Sequence, residues 1–133
     1  MQNKTTHESF VLRQSTLPSA GIGVITLHDI AKGTYMELFR DGFEEEIRDE
    51  SDVPKPLRAY CLYQGNGKIL CPKMFNRMDI GNYLNHSENW NMVYEKGRGY
   101  FASRDIRAGE ELFANYRDLG EPEDQREEYY KVH

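Results

Sequence analysis

The chain has 133 residues, 38% of them hydrophobic and 29% charged, with a formal net charge of −5. That length supports one modest core, and an acidic balance speaks against direct nucleic-acid binding, which needs clustered Lys and Arg to neutralise phosphates. No apolar run approaches the ~20 residues of a membrane helix, and the polar start MQNKTTHESF lacks a secretory signal's apolar segment, so the expected location is the cytoplasm.

In chain order, residues 1–9 are polar and expected to fray as an N-terminal arm. FVLRQ (10–14) predicts a short strand, LPSAG (17–21) a turn, and the β-branched run from Gly23 to Leu27 a second strand. The turn AKG (31–33) precedes TYMELF (34–39), a further strand candidate. DGFEEEIRDESD (41–52) holds seven carboxylates against one Arg and reads as a solvated acidic loop. Its alternative role is to attract a basic peptide over a Debye length of ~8 Å. After Pro54 and Pro56, Leu57, Tyr60 and Cys61 share one face of a short central helix. QGNGK (64–68) turns into the strand KILC, and NMVYE, KGRG, GYFAS, RAG and ELFANY (111–116) alternate strands with tight turns. The result is a mainly β chain, a small meander or barrel-like architecture. EPEDQREEYYKV (121–132) suits a C-terminal helix, with Pro near its start, acids in its first turns and Lys near its end.

One pattern occurs twice. GIGVITLHDIAKG (21–33) and GRGYFASRDIRAG (97–109) agree at five of thirteen positions: Gly21/Gly97, Gly23/Gly99, Asp29/Asp105, Ile30/Ile106 and Gly33/Gly109. Each copy reads as strand, turn, strand, which predicts a pseudo-symmetric β fold. Only the second copy runs on into EELFANY.

NYLNHSENWN (82–91) packs four Asn, a His and a Ser between Tyr83, Leu84 and Trp90. Buried amides must be paired, since an unsatisfied group costs roughly 1–3 kcal/mol; the segment reads either as Asx turns around one bonded histidine or as a polar site. No metal site is expected. Cys61 and Cys71 match no zinc spacing, and no two of the four histidines are spaced as a ligand pair.

AGIGV, NYLNHS and GEELFANY, in that order and ending near the C-terminus, resemble the SET-domain family of protein-lysine methyltransferases. The resemblance covers roughly residues 10–120, and implies a SET-type β-clip fold whose knot-like C-terminal segment brings Asn-His-Ser against Glu-Glu-Leu-x-x-x-Tyr. It divides the chain into an arm (1–9), a catalytic domain (10–120) and a helical tail (121–133). It further implies S-adenosylmethionine as cofactor and a lysine of a basic protein, such as a histone tail or ribosomal protein, as methyl acceptor. The alternative is a catalytically silent SET-fold module that binds cofactor or a basic partner. A free-standing domain of this size also resembles microbial or viral members, so a host nucleus is the second expected location.

By the resemblance, Tyr116 is the catalytic tyrosine. Ala20, Gly21, Ile22 and Gly23 present backbone to the methionine part of the cofactor, while Asn85 and His86 hold its amino group and adenine. Phe39, Tyr94 and Phe101 are the expected walls of the lysine channel. Relatives commonly carry a cysteine where Glu88 stands here, and a cysteine-rich zinc-binding tail that this chain lacks. Tyr129 or Tyr130, or a second subunit in a homodimer, would then cover adenine. Ala114 replaces a frequent aromatic two residues before the catalytic tyrosine, which enlarges the pocket unless Tyr94 fills it.

Overall fold

The structure, a computed structural model, describes residues 3–6 and 8–119. Ten short strands form four small sheets among these residues, and every helical turn is of the 3-10 type. Strands β1 (Phe10–Gln14) and β2 (Ile22–Thr26) make an antiparallel hairpin, Phe10 opposite Thr26 and Gln14 opposite Ile22. β3 (Tyr35–Met36), β9 (Gly99–Ala102) and β8 (Met92–Glu95) form a sheet in the order β3-β9-β8. β4 (Glu45–Asp49), β6 (Lys68–Pro72) and β5 (Leu62–Gly65) form another in the order β4-β6-β5. β7 (Asn85–His86) and β10 (Phe113–Ala114) pair in parallel.

The two copies of the repeated pattern pack on each other. Ile30 and Ile106 exchange backbone hydrogen bonds of 2.7 and 2.8 Å. Thr26 N–H donates to Glu110 O at 3.0 Å, and Ala102 N–H, its counterpart in the second copy, to Thr34 O at 2.9 Å. Gly33 and Gly109 both take the left-handed conformation that closes each turn without a Cβ penalty. These reciprocal bonds define a local pseudo-twofold axis through the main core. Val24, Ile30, Met36, Leu38, Leu84 and Met92 are buried around it, together with Ala102, Ile106, Leu112 and Ala114. Buried Leu112 carries the second copy straight into β10, so the extra EELFANY is the strand that ends the core.

A second, smaller core of Val53, Ile69 and Cys71, flanked by Leu57, Cys61, Tyr63 and Phe75, lies on the β4-β6-β5 sheet. Cys61 and Cys71 are free thiols. Burial first, and then a hydrogen bond with the Cys71 thiol, push the Cys61 thiol up to about 12.

Three local expectations are revised. The acidic segment is largely a strand, β4, followed by a 3-10 turn (Glu50–Asp52); its register against β6 puts Ile47 opposite Leu70, and that partnership outweighs the low β-propensity of its acids. The central helix is a 3-10 helix of six residues (Lys55–Tyr60) entered through Pro54. The expected frayed arm is tied down in its described part: Thr5 and Ser9 are buried, Thr5 N–H donates to Tyr35 O at 3.0 Å, and the Thr5 hydroxyl accepts from Glu37 N–H at 2.8 Å. The predicted C-terminal helix lies outside the described residues.

Candidate active site

Two strands with only two paired residues each set the centre of the site. Asn85 stands opposite Phe113, and His86 opposite Ala114. The amides around them are paired. Asn91 Nδ2 donates to Glu111 O at 2.9 Å and its Oδ1 accepts from Phe113 N–H at 2.8 Å, so this side chain substitutes for a strand neighbour. Asn82 and Asp79 form a reciprocal cap on the 3-10 turn Ile80–Tyr83. The Asn-rich segment is thus built both ways: this cap and a serine turn, in which Ser87 Oγ accepts from Asn89 N–H at 3.0 Å, hold it, and Asn85 and His86, both buried, face the strand carrying the tyrosine.

Directly after β10, Tyr116 meets that segment twice. Its backbone N–H donates to His86 Nδ1 at 2.9 Å, which puts the proton of a neutral imidazole on Nε2. Its phenolic hydroxyl donates to Leu84 O. The two rings lie 5.3 Å apart at 54°. With the hydroxyl proton given to Leu84 O, the phenolic oxygen acts toward other groups as an acceptor.

Glu111, the second acid of GEEL, is 4% exposed and joins three parts of the site. Its carboxylate accepts from Thr16 N–H and Thr16 Oγ1, both at 2.7 Å, from Ser15 Oγ at 2.9 and 3.0 Å, and from Asn85 Nδ2 at 3.1 Å. Asn85 Nδ2 also donates to Ile22 O at 2.9 Å. One carboxylate therefore fixes the 15–21 turn against the Asn-His-Ser strand, and these charge-assisted bonds offset the cost of burying it. This arrangement requires a glycine at position 23, where a Cβ would stand 2.3 Å from Glu111 Oε2, whereas Gly21 faces open space. Next to Gly21, Ile22 is exposed and Ala20 half-buried.

Two adjoining cavities lead to Tyr116. The inner one, about 40 Å³, is lined by Tyr116, Ala114, Leu84, Gly81, Phe39 and Tyr100, among others. That is room for roughly two or three water-sized groups, about the tip of an alkylamine. The outer one, about 710 Å³, shares Phe39, Glu45, Leu62, Leu70 and Tyr100 with it and adds Tyr94 and Phe43. Phe39 packs directly on Gly81, where a Cβ would fall 2.4 Å from the ring.

Of the three expected channel walls, Phe39 lines both cavities and Tyr94 the outer one, but Phe101 lines neither. It packs edge-on against Tyr35 at 5.5 Å, with the Arg98 guanidinium over its face at 4.6 Å. The reason is strand alternation: Tyr100 stands opposite Tyr94 in the ladder, with its ring 5.0 Å from that of Tyr94, so the next residue points away. Tyr100 therefore takes the wall, and it, rather than Tyr94, adjoins Ala114 in the inner cavity. Burial first, then the charges of Glu45, Tyr94 and Asp118, push its phenol well above the ordinary range.

Glu88, at the position where relatives carry a cysteine, pairs with Arg117, Nη2 to Oε2 at 2.6 Å and Nη1 to Oε1 at 3.2 Å. Arg117 also lies over Trp90 at 6.0 Å. An ion pair thus ties the chain just beyond Tyr116 to the turn after Asn-His-Ser. Tyr129 and Tyr130 lie outside the described residues.

The model of the SET domain matches residues 21–117. The chain belongs to the SET-domain family. Its fold is similar to a solved structure of a presumed histone methyltransferase from Plasmodium falciparum, with a TM-score of 0.51 and 22% identity over 87% of this chain and 95% of that one. A comparison with curated proteins gave no match. As a SET domain, the chain falls among protein-lysine methyltransferases by family, and the 21–117 match spans Asn85, His86 and Tyr116.

Sequence reasoning missed Glu111, Tyr100 and Glu45. Signals for the first two were present: an acid inside an otherwise apolar strand needs buried partners, and period-two alternation after Tyr94 selects Tyr100 over Phe101.

Proposed function

We propose that this SET domain is an S-adenosylmethionine-dependent protein-lysine N-methyltransferase acting on a basic protein or peptide, histone-like or ribosomal in character. The observation that carries this reading is the position of Tyr116, held by His86 and Leu84 at the wall of a narrow, aromatic inner cavity.

The residues present fit the cofactor. Gly21 keeps open space beside its backbone, and the turn it belongs to is clamped to Asn85 by Glu111. Ala20, Gly21 and Ile22 would hold the amino-acid end, and Asn85 and His86 the amino group and adenine. When bound, S-adenosylmethionine supplies an electrophilic methyl group on a sulfonium sulfur.

The chain's own residues do the rest. Phe39, Tyr100 and Leu84 exclude water from the lysine tip, and an apolar channel favours the neutral amine that displacement requires. A cavity of this width aligns the amine along one axis. Tyr116, its proton donated to Leu84, offers its oxygen to the amine N–H and to the positive charge developing there. The carboxylates of Asp41, Glu45 and Asp118, which line the outer cavity, suit a basic substrate.

Calorimetric titration with S-adenosylmethionine, followed by transfer of radiolabelled methyl to a mixture of basic proteins, tests the reading. Binding with label on lysine is expected. Binding without incorporation would favour the silent module, and no binding would remove the cofactor from the account.

A further inference from the structure

Seven acids between positions 41 and 52 are not equivalent. Glu44 pairs with Lys73 at 3.0 Å, Glu46 lies 3.9 Å from the Arg48 guanidinium, and Asp49 pairs with Lys68. Glu45, between the first two, has no salt-bridge partner among the described residues, and alternation along β4 turns it to the opposite face from both. That face is the channel: Glu45 lines the inner and the outer cavity, and among the described residues it is the only carboxylate on the inner wall. Its neighbours there, Leu62, Leu70, Phe39 and Tyr100, are apolar or aromatic. Glu45 is itself solvent-exposed, yet the protein packed beside its carboxyl raises its pKa above the ordinary value, and its charge is felt at Tyr100.

An unpaired carboxylate at the junction of a wide vestibule and a narrow apolar passage is suited to one ligand chemistry, a primary ammonium on a flexible stem. We infer that Glu45 docks the ammonium of the incoming substrate lysine before the side chain enters the inner cavity, and so selects lysine over uncharged side chains of similar length. This inference rests on the methyltransferase reading for its substrate. Glu45 forms a charge-assisted hydrogen bond with the ammonium in the vestibule; the ammonium gives its proton to vestibule water as it leaves Glu45, and Tyr116 receives the neutral amine beyond it.

The test compares Glu45→Gln with Glu46→Gln, which removes the same charge from the neighbouring residue on the other face. The probe is a ten-residue alternating Lys-Ala peptide and its Nε-acetylated counterpart, measured by calorimetry and, with S-adenosylmethionine, by methyl transfer. The wild type is expected to prefer the unmodified peptide. Glu45→Gln should weaken its binding and raise its KM about tenfold, the scale of one hydrogen bond to a charged group, with kcat at saturation within about twofold. Glu46→Gln should shift neither by more than about twofold, as a screened charge outside the site would. Equal effects of the two substitutions, no preference over the acetylated peptide, no peptide binding, or a fall in kcat at unchanged KM would each overturn the assignment. Glu45-dependent binding of the lysine peptide without methyl transfer would leave the docking site standing and remove the enzymatic reading instead.

Discussion

Asp29 and Asp105 hold equivalent places in the two copies of the repeat, and each caps the other's turn. Asp29 Oδ1 accepts from Ala108 N–H at 2.8 Å, and Asp105 Oδ1 accepts from Lys32 N–H at 2.8 Å. The Asp-Ile-x-x-Gly signature is therefore a device for joining the copies, which explains why it occurs twice. Replacing either Asp by Ala should cost about 1 kcal/mol, the net worth of one such hydrogen bond, and lower the melting temperature by roughly 2–8 °C. Asn, which keeps the acceptor oxygen, should cost less than half of that. Thermal melts of the two Ala variants should agree with each other; a loss confined to one would contradict the reciprocal arrangement.

Glu111 receives donors from Ser15, Thr16 and Asn85. Glu111→Gln turns one acceptor oxygen into an NH2 facing those donors, so a destabilisation of about 1–3 kcal/mol is expected. Gly23→Ala should cost a similar amount, because its Cβ would occupy the carboxylate's position and the carboxylate is too firmly held to move. Urea denaturation measures both. Cofactor affinity should fall in each, since both loosen the 15–21 turn, and an unchanged affinity would separate Glu111 from the cofactor pocket.

Phe39 and Gly81 make a similar close pair. Gly81→Ala forces the Phe39 ring out of the channel wall. KM for a lysine peptide should rise about tenfold or more, the scale of a misplaced positioning group, while cofactor affinity stays the same. Steady-state kinetics alongside cofactor titration distinguish this from general unfolding.

Alkaline pH gives a linkage test on the small core. The Cys61 thiol has an ordinary value of 9.0 and is pushed up to about 12 in the fold, by burial and by its Cys71 partner. Between those values the unfolded chain gives up a proton that the folded one keeps, so stability is full below about pH 9 and falls as pH rises toward 12. Cys61→Ala should flatten that part of the stability–pH profile. Alkylation of Cys61 at pH 8 should be slow, because thiolate is the reactive form.

How much of this was legible beforehand follows from how local each signal is. The hairpin of β1 and β2 and the strands around Met92, Tyr100 and Phe113 follow from β-branched and aromatic residues between glycine turns, and the repeat was visible as identity at fixed spacing. The meeting of Asn85, His86 and Tyr116 depends on a parallel pairing of two-residue strands, too short to leave a periodic pattern; only the motif resemblance pointed to it. β4 was hidden because its residues are acidic and its partner β6 alone makes it a strand. Phe101 is the expected wall, but the alternation set by Tyr94 places Tyr100 there. Glu111 stood in plain view in GEEL, but its partners Ser15 and Thr16 lie 95 and more positions away.

Tyr116 is the centre of the proposed chemistry, and one paired measurement on Tyr116→Phe tests its role most directly: the dissociation constant for S-adenosylmethionine and the single-turnover rate of methyl transfer to a lysine peptide. With the hydroxyl gone, the backbone bond to His86 remains. Affinity should therefore stay within about twofold while the rate falls about 10²-fold or more, the loss typical of removing one preorganised polar group. Transfer at the wild-type rate would take Tyr116 out of the chemistry and contradict the account.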